Sequence, residues 1–132
     1  MPLRLRPRRR PFRATMDVLE QRLALALTIQ FDYTYDSLGF FANNPAAKAV
    51  LEEAGQVLGR EILDPLSAIQ PSGNNTWSEL FQDPSTGVDR KIENPTIPAN
   101  TIVVYAAGFA PTNSFVGMGG PGGFNAQGSN PW

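Results

Sequence analysis

The sequence feature that most constrains the fold is a stretch of strict alternation. From Leu25 to Tyr35, apolar or aromatic side chains occupy every second position, and polar or small side chains fill the positions between them. A period of two with one apolar face is typical of a half-buried β-strand. The stretch ends in the turn-forming sequence DSLGFFANNP, where we expect Phe40 and Phe41 to fold back onto the core.

A long helix is predicted directly after this strand. Asn44 and Pro45 indicate an N-cap followed by proline at the first helical position. Up to Ile62, apolar residues recur at three-and-four spacing, and this predicted packing stripe consists of Ala47, Val50, Leu51, Ala54, Val57, Leu58 and Ile62. The residues expected on the solvated side are Lys48, Glu52, Glu53 and Arg60. Gly55 and Gly59 each weaken a helix by about 1 kcal/mol relative to alanine, so they indicate either a weak helix or a close approach to the sheet.

Two further strands are predicted after the helix. Asp64 and Pro65 end the helix, and the segment PLSAIQ allows one more short turn. TWSELFQ, from Thr76, predicts a second strand, and the unbroken apolar run from Thr101 to Gly108 predicts a strand buried on both faces. A helix between strands favours a parallel crossover. The predicted fold class is therefore α+β, with a β-α-β-β order and a mixed sheet that carries one long helix on a face.

Charge and composition divide the chain into three predicted regions. Residues 1–26 carry seven arginines against two acids, and the rest carries four cations against ten acids. We expect an export-type or disordered segment at 1–26, an incomplete α+β domain at 27–110, and a glycine-rich loop or tail at 111–132. Since the acidic body would repel phosphates, nucleic-acid binding is not expected and would depend on the arginines alone. The apolar run from Leu23 to Leu27 is too short to span a bilayer, so no membrane span is expected.

The absence of two residue types narrows the chemistry. With no cysteine, the chain has no disulfide, thiolate metal site or cysteine nucleophile. With no histidine, it lacks the usual general base, the usual zinc ligand and any histidine-type serine triad. No catalytic or cofactor-binding residue is therefore assigned to this chain.

The acids leave two alternatives open. Asp32 and Asp36 flank the end of the first strand, where paired carboxylates could act as acid and base or hold calcium, although solvated surface acids are the favoured interpretation. Asp83 and Asp89, in DPSTGVD, are weak calcium candidates, because the segment lacks the ligand spacing of an EF-hand and also fits an ordinary turn. Trp77, Phe81 and the tyrosines suit a sugar- or peptide-binding surface, but packing against the helix explains them more simply.

The N-terminal segment resembles a known export-type motif. MDVLEQRLALA, preceded by arginines, is similar to the Leu-Glu-Pro-Arg-x-Leu-Leu segment found on large exported planctomycete proteins. The match covers Leu19, Glu20, Arg22, Leu23 and Leu25, with Gln21 where the family usually has proline and Ala24 where it often has leucine. The resemblance implies an extracellular or cell-surface location.

The rest of the chain resembles exported bacterial proteins related to zinc metallopeptidases of the zincin type. The matching stretches are FDYTYDSLGFF with the alanine-rich helix, DPLSAIQ, IVVY, and GGPGGF leading to Trp132. In zincins this order of elements precedes a helix that bears His-Glu-x-x-His. The resemblance implies that zinc is expected only in longer relatives, since no metal or catalytic residue can be carried over to this chain.

Two interpretations of function follow. The first is a non-catalytic N-terminal fragment of an exported metallopeptidase-like protein, whose partner is the missing C-terminal catalytic region. The alternative is a stand-alone extracellular module that binds a protein or a glycan. On the first interpretation, the closing glycine-rich loop should be mobile and Trp132 partly exposed.

Overall fold

A computed structural model describes residues 26–109 and 117–128 of the chain. The arginine-rich segment, Leu25 and Trp132 lie outside the described residues, so the predictions made for them stay predictions. The described part is an α+β fold. Its elements are β1 (Thr28–Asp32), α1 (Phe40–Asn43), α2 (Pro45–Glu61), β2 (Thr76–Gln82), β3 (Asp89–Glu93), β4 (Thr101–Tyr105) and β5 (Gly123–Gln127).

The strands form two sheets instead of the single mixed sheet that the sequence predicts. β1 and β4 pair in parallel, with Ile29 beside Ile102 and Phe31 beside Val104, so a parallel crossover is present as predicted, but it joins β1 to β4 and not to β2, the strand that follows the helix. The other sheet is antiparallel, with strand order β3-β2-β5. β2 and β4 lie where they are predicted, whereas β3 and β5 occupy segments that we expected to be loops.

The first strand is shorter than its alternation predicts. β1 ends at Asp32, and Tyr33 and Tyr35 lie in the turn that follows. Phe41 does fold back as expected, because its ring packs 4.8 Å from that of Tyr33. PLSAIQ forms no helical turn; instead, Ile69 makes an isolated antiparallel bridge with Ile97.

The helix α2 matches its predicted extent, but its packing face is different. Its buried residues are Gly55 and Gly59, whereas Val50, Val57 and Leu58 of the predicted stripe are each more than half exposed. A Cβ on Gly59 would overlap the carbonyl oxygen of Leu27. Because the helix backbone lies this close to Leu27, the packing face of α2 is its glycine side and not the predicted apolar stripe. The helix meets β1 through glycine, so the apolar stripe is turned away from the strand.

Two smaller expectations for this helix hold in part. Lys48 and Glu52 are close to half exposed, but they also contact the turn after β1, since the Tyr33 hydroxyl donates to Glu52 at 3.4 Å and the Lys48 ammonium lies 4.9 Å from the Tyr33 ring centroid. Asn44 precedes the helix but makes no side-chain cap; its amide donates to the Phe40 carbonyl instead.

The strand β4 is not buried on both faces. Ile102 and Val104 share the helix-facing side of the parallel pair with Ile29 and Phe31, yet they are 38% and 36% exposed. The reason is that α2 packs on β1 and makes no close contact with β4. The buried hydrophobic core of the described residues is small as a result, and consists of Leu27 and Trp77.

Candidate functional site

The carboxyl ends of the parallel strands β1 and β4 are organised by Asp36. Its carboxylate accepts a hydrogen bond from the Phe41 amide at 2.8 Å and another from the Gly108 amide at 3.1 Å. Gly39, at φ 63°, allows the tight turn that brings α1 back to this carboxylate. Asp36 therefore joins the turn after β1 to the segment after β4.

The electrostatics of Asp36 follow from these contacts. Partial burial opposes ionisation of the carboxylate, but the donated N–H groups of Phe41 and Gly108 outweigh it and hold the pKa of Asp36 below its ordinary value of 3.8. The Asp32 carboxylate accepts a hydrogen bond from the Thr34 amide at 2.7 Å. The two acids flank the strand end as predicted, and backbone amides donate hydrogen bonds to each carboxylate.

An aromatic cluster joins the two sheets. The rings of Phe81 and Tyr105 are stacked, with centroids 4.2 Å apart, and Tyr35 packs edge-on against both. The Arg90 guanidinium lies 5.5 Å from the Tyr35 ring centroid. These rings fill the junction between the sheets and pack on one another, so they do pack, but not against the helix as the sequence predicts.

The hydroxyl of Tyr105 is part of the same junction. It donates to a carboxylate oxygen of Glu79 at 2.8 Å. Burial raises the pKa of Tyr105, and the neighbouring Glu79 carboxylate adds to this effect. Tyr105 is therefore held neutral as a donor, which makes it a structural tie between β4 and β2.

The calcium candidates lie at the turn between β2 and β3. Asp83 is buried, and its Oδ1 accepts from the amides of Ser85 and Thr86 while its Oδ2 accepts from the Arg90 guanidinium at 2.8 Å. Burial opposes ionisation here too, but the Arg90 guanidinium and these amides hold the pKa of Asp83 below 3.8. A calcium ion on Asp83 would have to compete with Arg90.

Asp89 occupies a different position from Asp83. It is the first residue of β3, is exposed, and pairs with Gln82 in the sheet. Within the described residues, no group of three or more acidic, histidine or cysteine side chains is arranged to hold a metal ion. The calcium hypothesis therefore has no further support, and it stays a prediction.

Several large apolar side chains of α2 and β4 are exposed. We call these residues together the open apolar face; they are Val50, Val57 and Leu58 on α2 and Ile102 and Val104 on β4, and no close contact joins the two elements. Large side chains of this type are normally buried, and exposed apolar surfaces of this kind mark sites of interaction. The sequence pattern predicts all five residues in the core, so it does not indicate this site.

Comparisons with known proteins add no relative. No protein-family model, curated protein or solved structure matches the chain. Among the described helices, neither is long and apolar enough to cross a membrane.

Proposed function

We propose that this chain is a non-catalytic scaffold unit of an exported zinc-metallopeptidase-like protein. Its role is to present the open apolar face to the region of that protein that carries the catalytic helix. The observation that supports this proposal most directly is the exposure of Ile102 and Val104 beside a helix that covers only β1. A parallel sheet is normally covered on its faces, so β4 has room for a second helix next to α2.

The energetics support a packing role for this surface. Full burial of a valine, leucine or isoleucine side chain contributes roughly 1.5 to 3 kcal/mol. The five exposed side chains of the open apolar face together correspond to about two and a half fully exposed ones, which makes roughly 4 to 7 kcal/mol available if all of them are covered. This amount is comparable to the whole stability of a small domain.

The test has a genetic part and a protein part. The DNA that follows the codon for Trp132 should encode His-Glu-x-x-His in some reading frame. In a longer protein that contains both this chain and the catalytic region, Val57→Lys should lower the melting temperature. Gln56→Lys, on the exposed polar side of α2, should leave the melting temperature unchanged. In the 132-residue chain by itself, both variants should melt like the unmodified protein.

Two outcomes would overturn the proposal. One is metal-dependent proteolysis by the purified 132-residue chain, which would give it catalytic residues of its own. The other is downstream DNA without the zinc-binding motif, which would remove the peptidase-like part of the proposal.

The second candidate function is a stand-alone extracellular module that binds a protein or a glycan. Its support is a shallow polar depression of about 180 Å³ on the antiparallel sheet, lined by Thr76, Ser78, Lys91, Glu93, Asn125 and Gln127 among others. Amide, hydroxyl and charged groups of this kind suit hydroxyl-rich ligands. Saturable binding on a glycan array that Asn125→Ala weakens would favour this candidate over the first.

A further inference from the structure

The strand β5 forms one edge of the antiparallel sheet. Among the described strands it pairs with β2 alone, and all five of its residues are exposed. The opposite edge strand, β3, has the sequence DRKIE, whose charges are the usual protection of a sheet edge against pairing with another chain. β5 has the sequence GFNAQ, with no charge and no proline, so this edge lacks that protection.

The two faces of β5 differ in chemistry. The register with β2 places Phe124 opposite Glu79 and Ala126 opposite Trp77, on the sheet face that carries the aromatic cluster. Asn125 lies opposite Ser78 on the other face. The Phe124 side chain is 74% exposed, although large apolar side chains of this type are usually buried.

We propose that β5 pairs with β5 of a second copy of this chain, antiparallel and about a two-fold axis through Asn125. The result is a continuous six-stranded sheet with the order β3-β2-β5-β5-β2-β3. An interface about a two-fold axis must be self-complementary. In this register Asn125 lies opposite its own copy, Phe124 opposite Ala126, and Gly123 opposite Gln127.

The register is restricted by the alternation of the strand. Directly opposed residues of an antiparallel pair lie on the same face, so the axis must pass through a residue and not between two residues. An axis through Asn125 pairs all five residues of β5, whereas an axis through Phe124 or Ala126 pairs only three. The axis through Asn125 also places the large Phe124 ring beside the small Ala126, and it allows the two Asn125 side-chain amides to hydrogen-bond each other.

The test uses charge at the self-paired position. Asn125→Asp and Asn125→Lys each place like charges directly opposite each other, so each variant should weaken the dimer about fivefold or more in sedimentation velocity across a concentration series. An equimolar mixture of the two variants should dimerise at least as well as the unmodified chain, because the opposed charges then attract.

The matched control is Gln127→Asp. It adds the same charge to the same strand and the same face, but opposite Gly123, so it should dimerise like the unmodified chain. Circular dichroism should give the same spectrum for all four proteins. The proposal is overturned by a chain that stays monomeric at millimolar concentration, by equal weakening from Gln127→Asp and Asn125→Asp, or by a mixture that fails to restore the dimer. If the chain stays monomeric and binds an extended peptide, the β5–β5 dimer proposal is likewise overturned.

Discussion

Replacing Gly59 by alanine should destabilise this protein, although alanine is the better helix former. The new Cβ would overlap the carbonyl oxygen of Leu27. At the same place, the Leu27 amide donates a hydrogen bond of 3.0 Å to the Gly59 carbonyl. α2 would have to move away from β1 to make room, and that movement would break this bond.

The magnitude follows from three opposing effects. Alanine gains about 1 kcal/mol over glycine inside a helix. Overpacking against a backbone atom costs roughly 1 to 3 kcal/mol, and the lost hydrogen bond costs about 1 kcal/mol more. The free energy of unfolding should therefore fall by about 2 kcal/mol, which lowers the melting temperature of a domain of this size by roughly 10 °C.

The assay is urea and thermal unfolding followed by circular dichroism, with two controls. Gly55→Ala should cost less, because its Cβ would lie 2.6 Å from the outer edge of the Phe31 ring, which can turn away. Gln56→Ala, on an exposed position of the helix, reports helix propensity alone. If Gly59→Ala is more stable than the unmodified protein, or equal to Gly55→Ala, the close approach of α2 and β1 is not what determines the packing.

Three other outcomes are expected. Asp36→Asn should lower the free energy of unfolding by about 1 to 3 kcal/mol, since an amide cannot accept from both N–H groups as the carboxylate does; full stability in urea would contradict this. The lowered pKa values of Asp36 and Asp83 contribute stability that is present above pH 3.8 and is lost as the pH falls below 3.8 and through those lowered values, so the melting temperature should drop below about pH 4; a flat profile from pH 6 to pH 2.5 would refute it. Tyr105→Phe removes the 2.8 Å bond to Glu79 and should cost about 1 to 2 kcal/mol in thermal unfolding, more than Tyr33→Phe, whose bond is 3.4 Å long.

A parallel crossover from β1 could be predicted from the order of elements, because a helix between two strands returns the chain in the same direction. The partner of β1 could not be predicted, since β2 follows the helix but β4 is the strand that pairs with β1. The start of α2 at Pro45 was accessible from the local sequence, since proline suits the first helical turn and disfavours later ones.

The strands β3 and β5 could not be predicted, because they depend on pairing with β2 and not on a pattern of their own. DRKIE and GFNAQ have neither strict alternation nor an excess of β-branched residues. Both pair with β2, and the partner strand supplies their hydrogen bonds and register. The contact of Asp36 with Gly108 is similar, since 72 positions separate the two residues and no local pattern connects them.

The packing face of α2 was mispredicted because the amphipathic pattern was assumed to mark the core. That rule holds where side chains fill the space between a helix and a sheet. Here Gly59 brings the backbone of the helix onto the Leu27 carbonyl, and Gly55 leaves the space that the Phe31 ring occupies. The pattern of the two glycines was visible in the sequence, but only as one of two alternatives.

The helix α2 consequently has two faces with separate roles. The glycine face of α2 packs against β1 and Leu27 within the described residues, so Gly59→Ala should destabilise the fold itself. The stripe that contains Val50 and Val57 has no such partner among the described residues, so Val57→Lys should leave the isolated chain stable and affect only the protein in which that stripe is covered. A Val57→Lys variant that unfolds the 132-residue chain would show that the stripe is already part of the core, and the open apolar face would then lose its meaning as a site of interaction.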